Sequence, residues 1–223
     1  MIAVSIGGGV LIPQAELKSG SFEWLLFTSN PKGYVLSNPG YIIGGKIKFD
    51  FPTLPVTLVG LISYSALSTD TTITIFSPIH TPEKSTINLS GKIITVGAGF
   101  EYGLFQRSPV KPYVGSEISL NILSGNVANL PFGISRNIEI KSAWRFGAGA
   151  GLGCQIEIPS LPFAVEVEAK YRLANLLGKD YNIPIFVDAM TRHLNDGKDP
   201  QNQTRSINYI SIDVGFSFAL SRN

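Results

Sequence analysis

Along most of the chain apolar residues recur at every second position, the period of a β-strand whose two faces meet different surroundings. The last such segment is the plainest. Ile210, Ile212, Val214, Phe216, Phe218 and Leu220 share one face with Asn208, while Tyr209, Ser211, Asp213, Gly215 and Ser217 share the other. Tyr41, Ile43, Ile47, Phe49 and Phe51 alternate in the same way with Ile42, Gly44, Lys46, Lys48 and Asp50. Ile94 to Leu104, Val114 to Ile122 and Phe163 to Leu173 repeat the pattern. In the longest run, Ile138 to Ile158, the residues Ile138, Ile140, Trp144, Phe146 and Leu152 oppose Glu139, Lys141, Arg145, Gln155 and Glu157. Two less regular segments, Ile2 to Ile12 and Val56 to Leu67, bring the predicted strands to eight.

The connections alternate as well. Residues 52–55, 106–112 and 159–162 are short and proline-rich, and proline cannot continue a hydrogen-bonded ladder, so these are tight strand ends. Between them lie long polar connections at about 13–40, 68–91, 126–137 and 177–206. In an up-and-down meander successive turns fall at opposite ends, so the short turns gather on one rim and the long loops on the other. The pattern predicts an all-β chain: one domain over residues 1–223, folded as an eight-stranded antiparallel up-and-down barrel.

Alternation alone does not say which face is inside. The polar face carries Lys46, Lys48, Lys141, Arg145, Lys170 and Arg172 against Asp50, Glu101, Glu117, Glu139, Glu157, Glu166, Glu168 and Asp213. Cations and anions nearly balance, as they must if they are to be buried in pairs. The same face is rich in glycine, which weakens a strand but relieves crowding in a lumen just wide enough to be filled by side chains. The apolar face adds Tyr41, Tyr64, Tyr102, Trp144, Tyr171 and Phe218, several near strand ends, where aromatic girdles meet lipid headgroups. Composition agrees: 44% of the 223 residues are hydrophobic and only 15% charged. No stretch approaches the roughly 18 apolar residues of a spanning helix. The expectation is therefore a transmembrane barrel with a polar lumen and an apolar exterior.

The even strand number, the short turns on one rim, the long loops on the other and the terminal Val214-Gly215-Phe216-Ser217-Phe218-Ala219-Leu220 resemble the small eight-stranded bacterial outer-membrane barrels of the OmpA, OmpX and OmpW types. The resemblance covers the whole chain and is architectural. It implies a porin-like, monomeric barrel in the outer membrane, surrounded by outer-membrane lipids and lipopolysaccharide. It also implies that the barrel-assembly machinery reads Phe218, although here Ala219 to Asn223 follow that aromatic. The start Met1-Ile2-Ala3-Val4-Ser5-Ile6-Gly7 lacks the marks of a signal peptide, which the resemblance explains as mature numbering. The function it implies is structural or surface-interacting, with the lumen plugged by the charge network and a surface ligand or protein engaged by the outer loops. The OmpW type implies an alternative, a narrow passive channel for small or hydrophobic molecules.

Little else in the sequence carries chemistry. The net charge of +2, without a basic run, gives no footprint for nucleic acid. Gly7-Gly8-Gly9 and the glycines from Gly147 to Gly153 match neither a dinucleotide fingerprint nor a P-loop. The lone Cys154 excludes an intramolecular disulfide, and His80 and His193 have no metal-site spacing, so neither metal nor cofactor is expected. His193, with Asp188, Asp196 and Asp199 nearby in sequence, could imitate a base and its orienting carboxylate, an enzyme reading ranked below the other two. Two long connections are unusually apolar, with Phe22, Trp24, Leu25, Leu26 and Phe27 in the first and Ile183, Ile185, Phe186, Val187 and Met190 in the last.

Overall fold

The computed structural model describes residues 1–14, 36, 38–51, 53–75, 83–105, 108–129, 137–159, 161–180, 191–194, 196–197 and 206–221. The apolar loop residues 22–27 and 183–190, with His80, Asp188 and Asp199, lie outside them. The strands are β1 (Ile2–Pro13), β2 (Gly40–Asp50), β3 (Val56–Ile75), β4 (Glu83–Gly103), β5 (Val110–Ala128), β6 (Asn137–Glu157), β7 (Phe163–Leu177), the two-residue β8 (Thr191–Arg192) and β9 (Asn208–Ser221). Sheet order runs β5-β4-β3-β2-β1-β9-β7-β6, and β5 pairs with β6 to close the circle. Every pairing in this ring is antiparallel, so the described residues form a closed, eight-stranded, up-and-down barrel. Closure satisfies every strand edge at membrane depth, where no water can do so.

The outer face is an apolar belt, with Ile6, Ile43, Ile62, Val96, Ile118, Phe146, Val167 and Val214 exposed around the ring. On β4 and the residue after it the belt runs from Ile94 to Leu104, about 34 Å along the strand. At a strand tilt of roughly 40° that is about 26 Å along the membrane normal, close to the apolar band of a membrane barrel. Its upper limit is a row of residues paired across four strands, Tyr64, Ile94, Ile122 and Trp144. The next row up is Ala66 and Lys92, followed by Ser124. This is the geometry of a membrane-spanning barrel.

Besides the two-residue β8, which lies within the connection expected at 177–206 and pairs parallel with β6 at Glu139 and Ile140, two parts of the barrel depart from the expected strand plan. The connection expected at 68–91 is mostly strand, because β3 continues to Ile75 and β4 begins at Glu83. With β5 and β6 these strands form a sheet projecting beyond the belt on the long-loop rim, whereas β1, β2, β7 and β9 are shorter. Ser68-Thr69-Asp70-Thr71-Thr72 is polar at every consecutive position, so it lacks the alternation that marks a strand in lipid. The second departure is a bulge in β6: Leu123 pairs with Ala143 and Gly125 with Ile140, so Ser124 opposes two residues, Lys141 and Ser142. An extra residue reverses the inside and outside assignment of everything beyond it. Ile138 is accordingly buried and Ile140 half-buried, while Glu139 and Lys141 are exposed. The expected placement of Lys141 and Glu139 in the lumen is corrected by this single insertion.

Candidate functional site: the charge-filled lumen

Inward positions alternate with outward ones, so β2 presents Lys46 and Lys48 to the lumen, β4 presents Glu101, and β5 presents Tyr113 and Glu117. Four consecutive inward positions of β7 are Glu166, Glu168, Lys170 and Arg172. These side chains form one continuous network. Lys48 Nζ lies 2.6 Å from Glu166 Oε1 and 2.8 Å from Glu101 Oε2. Lys46 Nζ donates to Glu168 Oε2 at 2.8 Å and Glu166 Oε1 at 3.2 Å, and lies 3.5 Å from Glu101 Oε1. Lys170 Nζ bridges Glu117 Oε2 at 2.8 Å and Glu168 Oε1 at 3.1 Å. Arg172 Nε donates to Glu117 Oε1 at 2.6 Å, and its Nη1 donates to Ser211 Oγ at 3.1 Å. Ser211 in turn donates to Asp213 Oδ2 at 3.0 Å, which ties Asp213 to the end of the chain of contacts.

Tyr113 joins these charges without having been singled out by the sequence pattern, although it falls on the inward phase of β5. Its hydroxyl donates to Glu166 Oε1 at 2.6 Å, and its ring centroid lies 5.0 Å from the Lys48 ammonium. Space for these long side chains comes from glycine on the neighbouring strand. A Cβ on Gly153 would overlap the Tyr113 ring, and one on Gly149 would sit 3.0 Å from Glu117 Cγ and 3.1 Å from Arg172 Cγ. Eight charged groups, four of each sign, thus form one connected network inside the barrel, each with a partner. Charges removed from water are tolerable when paired and hydrogen-bonded in this way.

Arg145 is not part of this network. It lies nearer the long-loop rim and holds Asp196, a residue of the connection between β7 and β9 that folds into the barrel mouth. Arg145 Nη2 donates to Asp196 Oδ1 at 2.7 Å and Nε to Oδ2 at 2.9 Å. Asn175 Nδ2 adds 2.8 Å to Oδ2, and the Asp180 N–H adds 3.2 Å to Oδ1. Asp196 is fully buried by this clamp, while His193 is exposed. Asp196 therefore anchors a loop and does not orient His193 as a base. Sequence spacing held no sign of the pair, because Arg145 and Asp196 are 51 residues apart.

Between network and clamp, Thr95 Oγ1 donates to Asn121 Oδ1 at 2.7 Å, and Asn121 Nδ2 donates to the Ala174 carbonyl at 2.8 Å. Near the clamp the lumen turns apolar, with Leu11, Leu67, Ile93, Leu123, Leu194 and Ile207 packed into one cluster. At the opposite, short-turn rim, Asp50 accepts from Thr57 Oγ1 at 2.6 Å and Glu157 pairs with Lys111 at 2.6 Å. Phe218 lies on the outer face at that rim, 5.8 Å from the Phe163 ring.

The remaining space is divided. A cavity of about 60 Å³ beside Ser5, Ser63, Lys46 and Asp213 has room for a few waters. An apolar cavity of about 70 Å³ lies under Leu36, Leu89, Val127 and Ile140. A vestibule of about 380 Å³ opens at the short-turn rim beside Lys111, Glu157 and Phe163. The three share no lining residue. Glu101, Glu166 and Glu168 bring carboxylate oxygens within 4.8 Å of one another, a spacing that suits a cation. The ammonium groups of Lys46 and Lys48 already hold that position.

No family model matches the chain, and no curated protein does. Solved structures superpose on it along nearly its whole length at low identity. Neisserial surface protein A (NspA) superposes with a TM-score of 0.48 at 14% identity, covering 97% of this chain and 96% of that one. A major outer membrane protein from Thermus thermophilus superposes with a TM-score of 0.47 at 9% identity, covering 97% of this chain and 98% of that one.

Proposed function

We propose that this chain is an integral, monomeric protein of the bacterial outer membrane, non-enzymatic, whose barrel is a closed scaffold for the projecting sheet and loops. The network from Glu101 through Lys48, Glu166, Lys46, Glu168, Lys170 and Glu117 to Arg172 carries this reading, because its members reach across the lumen from β4, β2, β7 and β5. Short turns on one rim and long connections on the other support an outer-membrane orientation with the long connections outside. In that setting outer-membrane lipid and lipopolysaccharide surround the belt. The assembly machinery reads the terminal strand with Phe218, and a ligand or protein is met by the outer loops. Arg145 and Asp196 fix one of those loops over the mouth.

The channel alternative draws on the apolar cavity beside Leu89 and Ile140. At about 70 Å³ it is well below the roughly 300–1,000 Å³ of ordinary small-molecule sites, and it ends above the charge network. Liposome swelling discriminates. Vesicles carrying refolded protein, shown to be folded by a gel band that shifts on heating, are diluted into solutions of small sugars and amino acids. The closed scaffold leaves swelling at the rate of empty vesicles; size-dependent swelling would establish the channel instead.

A further inference from the structure

The bulge in β6 turns Lys141 from the lumen to the outside, and there it meets a second lysine. Lys92 on β4 pairs with Ser124 on β5, and Ser124 faces Lys141 and Ser142 across the bulge. Both lysines are exposed, and neither forms an ion pair among the described residues. Two strand spacings of about 4.8 Å separate their backbones, so two flexible four-carbon stems can bring both ammonium groups to one anion between them. Ser124 stands between them on β5, and Ser142 adjoins Lys141 on β6.

The height of this pair identifies the anion. One row below, Ile94 and Trp144 belong to the belt that faces lipid chains. One row above, Ser90, Asn126 and Glu139 are polar, and Glu139 repels an anion approaching from that side. Positive charge is therefore concentrated at the level of lipid headgroups, where lysine binds phosphate as a point charge.

We propose that Lys92 and Lys141, with Ser124 and Ser142, form a binding site for the phosphate of an outer-leaflet lipid whose chains lie along Ile94 and Trp144. The proposal rests on the outer-membrane reading and deepens it by naming one lipid contact.

The test uses the full chain, refolded into phosphatidylcholine nanodiscs doped with a phosphorylated glucosamine-based lipid or with its dephosphorylated counterpart. Retained lipid is measured by native mass spectrometry after release. The wild type should retain the phosphorylated lipid preferentially. A gain of about five-fold per lysine makes retention about 25-fold weaker in Lys92→Gln/Lys141→Gln, with Lys92→Arg/Lys141→Arg close to wild type. Equal retention by wild type and the glutamine variant, or of both lipids, would overturn the site. Displacement by millimolar inorganic phosphate would overturn the lipid as its occupant. The outer-membrane reading is checked separately by the heat-shifted gel band, since a chain that never inserts into the bilayer contradicts that reading itself.

Discussion

Lys48→Met tests the buried network most sharply. The Lys48 side chain is 4% exposed, and its ammonium lies within ion-pair distance of two carboxylates, Glu101 at 2.8 Å and Glu166 at 2.6 Å. Methionine keeps the unbranched shape but removes the charge. Glu166 retains Lys46 at 3.2 Å and the Tyr113 hydroxyl at 2.6 Å. Glu101 is left with Lys46 alone, at 3.5 Å. Removing one partner of a buried pair costs about 3–5 kcal/mol, because the other charge stays desolvated. That is roughly a hundred- to several-thousand-fold shift toward the unfolded chain. In Lys48→Met/Glu101→Gln both charges are gone, so the combined cost should fall short of the sum of the two single costs by a coupling of about 1–3 kcal/mol. The assay is reversible urea unfolding in lipid vesicles, followed by tryptophan emission. Lys111→Met is the control: its partner is Glu157, with side chains 32% and 45% exposed, and an exposed pair is worth about 0–1 kcal/mol. If Lys48→Met were as mild as Lys111→Met, or the double variant were additive, the paired, buried network would be refuted.

Other substitutions probe other parts of the fold. Gly153→Val drives side-chain atoms into the Tyr113 ring and should cost about 1–3 kcal/mol in the same unfolding assay, with Gly60→Val, which meets nothing within 4 Å, as its control. Ile118→Arg, at the middle of the belt and 72% exposed, should destabilise the barrel by about 2–4 kcal/mol in bilayers. A cost near zero would mean that this face does not meet lipid. Arg145→Met leaves the fully buried Asp196 carboxylate without its cation, so limited proteolysis should cleave the 178–206 connection faster than in wild type while the barrel stays heat-shiftable. Unchanged cleavage would show that the clamp does not hold the loop.

The barrel was legible in the sequence because a strand between lipid and a packed lumen leaves no freedom in its alternation. The faces of β2, β4, β7 and β9 could be read residue by residue, and the alternation of short proline turns with long connections pointed to the meander. The projecting ends of β3 and β4 were not legible in the same way: their inner face is buried, with Thr69 at 3% exposure and Ile87 packed against Val127 and Ile138, but Ser68 to Thr72 is polar on both faces, so no apolar alternation marks it. Their trace was the β-branched run from Thr71 to Ile75, a propensity signal. The β6 bulge escaped because Ile138 and Ile140 keep the parity of Trp144, so a one-residue insertion reads as unbroken alternation. The adjacent polar residues Lys141 and Ser142 were its mark. Asp196 could not be found from sequence, for its role depends on a connection folding back on Arg145. Which acid meets which base inside the lumen was equally hidden, because partners such as Lys48 and Glu166 are set by the register of strands 118 residues apart.

The proposed closed scaffold requires that side chains, and not a continuous column of water, block the barrel from wall to wall. Single-channel recording of the refolded, heat-shiftable protein in planar bilayers tests it most directly, with Lys48→Met and Glu168→Ala recorded beside it. A silent wild type, with current only after a network residue is removed, is the expected result. Stepwise currents from the wild type, altered in conductance or selectivity by those same substitutions, would make the charges the lining of a pore and contradict the account.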